Sequence, residues 1–237
     1  MITKVDTNYL ENYKKEFIYT CKKCKGADYY CECWNQYRFE FKKIKARIPI
    51  KFRSFDLSQI THPQIQIAKA KIEEYIKTAL INPRAARSLY LHGTGGTAKS
   101  VLGNIILMEV IKKNYKGMYF DSFLNCSNYI VDGWYEKNKE VSIDIFDVIS
   151  SYDFVVIDEI GDGCGTSNPS IENTLKKIFR ERSNNLLPTI FISSHNKRDV
   201  KDPLEAHIIS LFSESMSSIE FKGFDYRKHV INKVKDD

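Results

Sequence analysis

Residues 93–100 read Gly-Thr-Gly-Gly-Thr-Ala-Lys-Ser, and residue types in that order can hold a polyphosphate. Small residues let successive backbone N–H groups turn inward around a β-phosphate, an arrangement that larger side chains obstruct. Lys99 supplies an ammonium that reaches the β- and γ-phosphates, and Ser100 supplies a hydroxyl for Mg²⁺. An apolar segment precedes the loop and a helical pattern follows it, so the positive end of a helix dipole faces the anion. The candidate nucleotide-binding set is therefore Gly93, Thr94, Gly95, Gly96, Thr97, Ala98, Lys99, Ser100 and the next residue, Val101. Against the pattern G-x-x-x-x-G-K-[ST] the one departure is Ala98, where glycine is usual. Its methyl costs little if φ is negative and is strained if φ is positive.

A second group supplies the acid and base. Phe154 to Ile157 form a continuous apolar run that ends in Asp158-Glu159. Such a run reads as a buried strand, and its carboxyl end is where open α/β sheets bind ligands. Asp158 is placed to hold the Mg²⁺ shell, and Glu159 to orient and deprotonate an attacking water. Loop and carboxylate pair together predict ATP and Mg²⁺ as ligands and ATP hydrolysis as the reaction. The sequence G-T-A-K-S resembles the loop of the minichromosome maintenance helicases, which are working ATPases, so Ala98 is read as compatible with nucleotide.

Cys21, Cys24, Cys31 and Cys33 are spaced C-x2-C-x6-C-x-C. Four thiolates this close can complete a tetrahedral Zn²⁺ site, a structural one because no open position is left for water. An iron–sulfur cluster is chemically possible, and so are four unligated thiols. Cys126 and Cys164 stand apart as ordinary thiols. After the cluster, Trp34, Tyr37, Phe39 and Phe41 interleave with Arg38, Lys42, Lys43, Lys45 and Arg47. Rings with cations suit single-stranded nucleic acid, but they equally suit an amphipathic element packing on a metal knuckle. We favour packing.

The elements that must position these groups are legible as three sections. Residues 1–46 carry a short polar helix, the cysteines and the aromatic stretch. Residues 47–87 read as a linker and an amphipathic helix, with Ile65, Ala68, Ile72, Ile76 and Ala79 at helical spacing between His62-Pro63 and Asn82-Pro83. Residues 88–237 alternate short apolar runs with helical patterns at about 100–114, 122–138, 141–150, 170–183 and 200–212. This alternation predicts an α/β fold with a mostly parallel five-stranded sheet covered on both faces. Hydrophobic and charged contents of 43% and 28% are those of a soluble globular chain. No apolar run is long enough for a bilayer, and "MITKVDTNYLENYKKEF" lacks the apolar core of a secretion signal. The expectation is a cytoplasmic protein that does not engage membranes, with six cysteines kept out of disulfides. A net charge of +6 permits a polyanionic partner without requiring one.

The stretches "YDFVVIDEIG", "FRERSNNLLPTIFISSHN" and "SIEFKGFDYR" together resemble the DnaC/DnaI/IstB group of AAA+ ATPases, across roughly residues 47–230. "ARIPIKFRSFDL" likewise resembles the segment that precedes their ATPase core. The resemblance implies an AAA+ core, self-association through it, and a replicative DNA helicase and single-stranded DNA as partners. It also implies a helicase-gripping role for the small zinc-bearing N-terminal domain. By position it assigns the catalytic sensor to His195 or Asn196, with the family's usual asparagine falling one place late, and a nucleotide-side role to Arg227. Where the family keeps arginines that reach a neighbour's γ-phosphate, this chain has His207 and Leu211. A neutral imidazole lacks a guanidinium's fork and fixed charge, and a missing finger can cost a factor of about 10³ in turnover. Arg180, Arg182 and Arg198 are the substitutes available. Two other functions fit the same motifs: a transposition helper of the IstB kind assembling on DNA, and a nucleotide-sensing module with little turnover.

Overall fold

The computed structural model describes residues 4–122, 125–126, 149–161, 169–196, 200–201, 203–223 and 225–227. Of the helices expected over 122–138 and 141–150 only residues 122, 125–126 and 149–150 are described; the rest of both, together with Cys164 and Arg198, lies outside the described residues. The chain divides into two compact units, Met1–Ser54 and Phe55–Asp237.

In the first unit, α1 (Lys4–Tyr13) runs on into a wider turn at Lys14–Ile18, and α2 (Glu32–Lys45) follows the cysteines. Residues past 46 belong to this unit through Arg53. Its guanidinium donates to the Ile48 carbonyl at 2.8 Å and to Asp6 Oδ1 at 3.0 Å, and its own carbonyl accepts from Lys43 Nζ at 2.8 Å. The rings of α2 are half-buried, with Lys43 over Phe39 and Lys45 over Phe41 at 4.7 and 5.0 Å. This is the packing arrangement rather than an open stacking platform on that helix.

The second unit opens with α3 (Gln66–Ile81), which buries Ala68, Ile72, Tyr75, Ile76 and Ala79. His62 caps the approach by accepting from the Gln64 N–H, and Asn82 closes the exit by accepting from the Arg84 N–H. Then come β1 (Ser88–Gly93), α4 (Lys99–Lys112), β2 (Gly117–Phe120), β3 (Phe154–Ile157), α5 (Pro169–Asn184), β4 (Thr189–Ile192), α6 (Pro203–Leu211) and β5 (Met216–Phe221). All strand pairs are parallel, in the order β2-β3-β4-β1-β5. β1 to β4 are buried along their whole length, as the continuous apolar runs require of strands covered on both faces. Only β5, at an edge, alternates towards solvent. On one face Tyr90, Phe120, Val155, Ile157 and Phe191 pack with Leu175 and Phe179 of α5, Ile208 of α6 and Phe212 just past it. On the other face α4 comes so close that a Cβ on Gly103 would lie 2.7 Å from Ile192 Cδ1.

Arg182 is fully buried at the end of α5. Its guanidinium donates to Thr189 Oγ1 at 3.0 Å and to the carbonyls of Ile149, Tyr152 and Pro188 at 2.8–2.9 Å. Burial pushes it down to about 9, opposed by the Asp153 carboxylate. Every one of these hydrogen bonds is internal, so Arg182 is a structural clamp and cannot be the missing arginine finger. Arg182→Ala would strand buried carbonyls. We expect a loss of about 3–5 kcal/mol, read as a lower urea midpoint, with the phosphate loop's residues untouched.

Candidate functional site

The turn between β1 and α4 must reverse the chain in five residues, and it uses positive φ three times to do so. Gly93 has φ 116°, and a Cβ there would lie 2.1 Å from the Phe221 carbonyl oxygen. The Gly93 N–H donates to the His195 carbonyl, and the Thr94 N–H donates to the Phe221 carbonyl, both at 3.1 Å. The loop's entry is thereby tied to β4 and β5. Gly96 has φ 78°, with Asp225 and Arg227 crowding the space where a side chain would go. Gly95 opens onto nothing within 4 Å. Ala98, the residue before α4, has φ 66° and ψ 16°. Its backbone therefore falls on the strained side of the alternative posed by the sequence, at about 1–2 kcal/mol for a residue with a Cβ. The loop keeps the turn that a glycine would make and carries the strain of an alanine.

Lys99 begins α4 and is only 6% exposed. Its ammonium donates to the carbonyls of Gly93 and Thr94 at 2.7 and 2.6 Å, with Thr97 Oγ1 at 3.3 Å. Burial lowers it to about 8, partly opposed by the charge of Asp158. Asp158 is buried at the tip of β3, and burial pushes its carboxyl up, while hydrogen bonds from Ser100, Tyr119 and the Glu159 amide hold it down. Tyr119 donates to its Oδ2 and the Glu159 N–H to its Oδ1, each at 2.9 Å. The two expected Mg²⁺ ligands, Ser100 and Asp158, are thus already neighbours. Glu159 is exposed beside them with φ 48°.

The two sensor candidates separate. His195 is half-buried, with Nδ1 3.9 Å from Glu205 Oε2, and its main chain holds the loop. Asn196 is exposed and lines a cavity of about 990 Å³ that also touches Thr97, His92 and Lys71. Arg227 is exposed next to Gly96 and holds Asp225 through Nε and Nη2 at 2.9 and 3.1 Å. His207 on α6 is kept below its usual range by burial and by the charges of Lys176 and Arg180, so it is a neutral imidazole at pH 7. Leu211 packs against the core. Neither supplies a cation. Arg180 is exposed on α5.

Sequence reasoning missed the polar groups behind the site. Tyr119 steadies Asp158, and Tyr90 donates to the buried Glu205 at 2.6 Å. Gly161, at φ 100°, sits where a Cβ would strike Glu205 Oε2 and lie 3.1 Å from His195 Nδ1. The only sequence signals were tyrosines inside apolar strands and an acid in an apolar helix, and neither says which partner it meets.

In the first unit the four cysteine sulfurs lie within 4.8 Å of one another, with Cys21–Cys31 at 3.8 Å and Cys24–Cys33 at 3.4 Å. Tetrahedral Zn–S bonds of about 2.3 Å place sulfurs ~3.8 Å apart, so the donor set fits zinc. The turn is built for it. Lys25 and Gly26 take positive φ, the Lys25 N–H donates to the Cys21 carbonyl, and the Ala27 N–H donates to that of Cys24. Amide hydrogen bonds from Cys24 and Lys23 hold the Cys21 thiol down to about 6, while burial pushes the Cys33 thiol up to about 12, so one proton loss is favoured and another opposed until a cation enters the cluster.

No protein-family model and no curated protein matches the chain. Solved structures do match. The crystal structure of the DnaC helicase loader aligns with a TM-score of 0.59 at 17% identity, covering 73% of this chain and all of that one. A structure of DnaI aligns at 0.54 and 18%, covering 75% of this chain and 93% of that one. AMPPCP-bound DnaA from Aquifex aeolicus aligns at 0.56 and 16%, covering 78% of this chain and 54% of that one. At these identities the likeness is one of fold alone: these proteins share the parallel five-stranded α/β architecture described above. No helix among the described residues is long and apolar enough to cross a membrane.

Two measurements check this geometry. Phosphate binding requires the protonated Lys99, whose folded pKa is depressed. MgATP affinity should therefore hold steady below pH 8 and fall by up to about tenfold per unit above it, where an ordinary lysine would hold to beyond 10; equilibrium titration across pH 7–10 reads this. Metal analysis should find one Zn²⁺ per chain, and a strong chelator should remove it and abolish the first unit's helical signal, restored by added Zn²⁺.

Proposed function

We propose that this chain is an ATP-switched AAA+ protein of the helicase-loader kind, acting with single-stranded DNA and a replicative helicase. The observation that carries the reading is the junction of loop and strand tip. A buried lysine, a serine hydroxyl and a buried aspartate converge there, with an exposed glutamate beside them. The fold likeness to DnaC and DnaI supports the loader class, and an aligned DnaA was solved with AMPPCP bound.

The Lys99 ammonium is satisfied by the carbonyls of Gly93 and Thr94. A triphosphate offers stronger, charged acceptors, so Lys99 exchanges carbonyls for β- and γ-oxygens and the loop amides close on the phosphate. Ser100 and Asp158 would hold Mg²⁺, which neutralises charge between the β- and γ-phosphates when bound. Glu159 then takes the proton of the attacking water. Asn196 or His195 polarises the γ-phosphate side, and Arg227 is freed to a phosphate if Asp225 releases it. The cavity beside Thr97 has the size of a nucleoside pocket. With no guanidinium at residues 207 and 211, hydrolysis within one chain is slow, and self-association through the ATPase unit is the route to a finger. The zinc-bearing unit gives the protein a grip separate from its ATPase. That feature favours a loader over a transposition helper.

Lys99→Ala should abolish nucleotide binding. Glu159→Gln should keep it and reduce turnover by about 10²–10⁴-fold, the usual contribution of a general base. Co-purification of a ring helicase with the parent protein in ATP, and not with Lys99→Ala, tests the loader reading. A transposase in its place would move the protein to the helper class.

A further inference from the structure

The positive charge of this chain is not shared between its units. Residues 1–54 hold thirteen lysines and arginines against six acids, while residues 55–237 hold twenty-three against twenty-four. The whole net charge of +6 therefore resides in the small unit. Four zinc-bound thiolates would remove two charges and leave it basic.

The same unit carries an unusual density of open rings. Tyr30 is 91% exposed, Tyr29 63%, Tyr19 56% and Phe17 52%. Three of these rings rest on neighbours, and Tyr30 is fixed through its backbone. Tyr19 lies over Gly26, 2.8 Å from where a Cβ would sit, so only glycine lets the ring settle there. The Trp34 indole N–H donates to the Gly26 carbonyl at 3.2 Å, and Tyr29 lies against Trp34 with centroids 4.7 Å apart. From Trp34 the row continues through Tyr37 and Tyr13 to Phe17 at 5.6, 6.2 and 4.7 Å. Arg38 fixes the loop by donating to the Tyr29 carbonyl at 2.9 Å, and the Tyr30 N–H donates to Asp28. Lys15, Lys22, Lys23 and Lys25 are exposed on the same short segments.

We propose that the knuckle loop and its flanks, Tyr19, Tyr29 and Tyr30 with Lys15, Lys22 and Lys23, form a binding surface for single-stranded DNA. Unstacked bases lie on the open ring faces, and the lysines meet the phosphates. Stacking tolerates any base because every base has a π-face, which suits a surface with no ordered set of donors and acceptors. A duplex hides its base faces and offers only phosphates. A protein partner would use the rings but has no need of so one-sided a charge. The sequence placed the stacking candidates on α2, but there the rings are half-buried under lysines, and the open rings sit on the cysteine loop instead. The choice of DNA rests on the loader reading, while the surface itself stands on charge and ring exposure.

The test uses the full chain with zinc bound, titrated into fluorescent oligo(dT) and into a duplex of equal length. The parent should prefer oligo(dT). Tyr30→Ala should weaken it by about tenfold, the Tyr29→Ala/Tyr30→Ala pair should weaken it further, and duplex binding should barely change. Lys15, Lys22 and Lys23 changed to Glu should flatten the salt dependence, by about 0.7 in log–log slope for each phosphate that no longer meets a lysine. Zinc content and MgATP affinity, measured on every variant, should match the parent. Lys99→Ala, tested alongside, should fail to bind ATP and keep this DNA surface, so failure of the nucleotide reading shows separately. Unchanged oligo(dT) affinity in the tyrosine variants overturns the proposal. So does an equal weakening on duplex, or intact oligo(dT) binding when a co-purifying helicase is released, which would make the surface a protein dock.

Discussion

The second unit depends on one constraint: β1 must turn into α4 within five residues. Three positive φ values meet it, at Gly93, Gly96 and Ala98. The turn does not stand alone. Its first amide is held by the His195 carbonyl of the β4 exit, its second by the Phe221 carbonyl of β5, and the Gly96 carbonyl accepts from the Tyr226 N–H at 2.7 Å. The parallel sheet order that places β1 between β4 and β5 is therefore what makes the loop rigid. A buried ammonium closes the turn from inside, satisfied by the loop's own carbonyls.

Electrostatics divides the labour further. Asp158 is buried and bound on both oxygens, fit for a fixed position in a metal shell, whereas Glu159 next to it is exposed and carries strain in its backbone. Adjacent carboxylates thus receive different environments, the usual way one site obtains two roles from one residue type. The buried pair of Tyr90 and Glu205, with Gly161 and His195 around it, links the sheet, α6 and the β3 exit in one polar cluster. The region proposed to sense the γ-phosphate is thereby joined mechanically to α6, which carries His207 and Leu211.

Much of this was legible in the sequence, and for identifiable reasons. The β3 run from Phe154 to Ile157 is apolar without alternation because both its faces are covered. Ile65, Ala68, Ile72, Ile76 and Ala79 kept helical spacing because one face of α3 is buried. Cys21 to Cys33 could be read as a cluster because four donors on thirteen residues leave little geometric freedom. What was not legible depends on contacts distant in sequence. The sign of φ at Ala98 is set by the turn, not by alanine. Arg182 looked like a spare cation and is a clamp because the segment before β3 and the residue before β4 bring three carbonyls to it. The open rings belong to Tyr19, Tyr29 and Tyr30, because exposure follows from which rings α1 and α2 happen to cover.

Whether the amides and lysine of the 93–100 turn hold a triphosphate is decided by a crystal structure with a non-hydrolysable ATP analogue and Mg²⁺. Phosphates should lie inside the turn, with Lys99 Nζ moved from the carbonyls of Gly93 and Thr94 to the β- and γ-oxygens, and with Ser100 and Asp158 on the metal. A turn left empty at saturating analogue, with Lys99 still on its own carbonyls and the Ala98 methyl filling the phosphate's place, would contradict it.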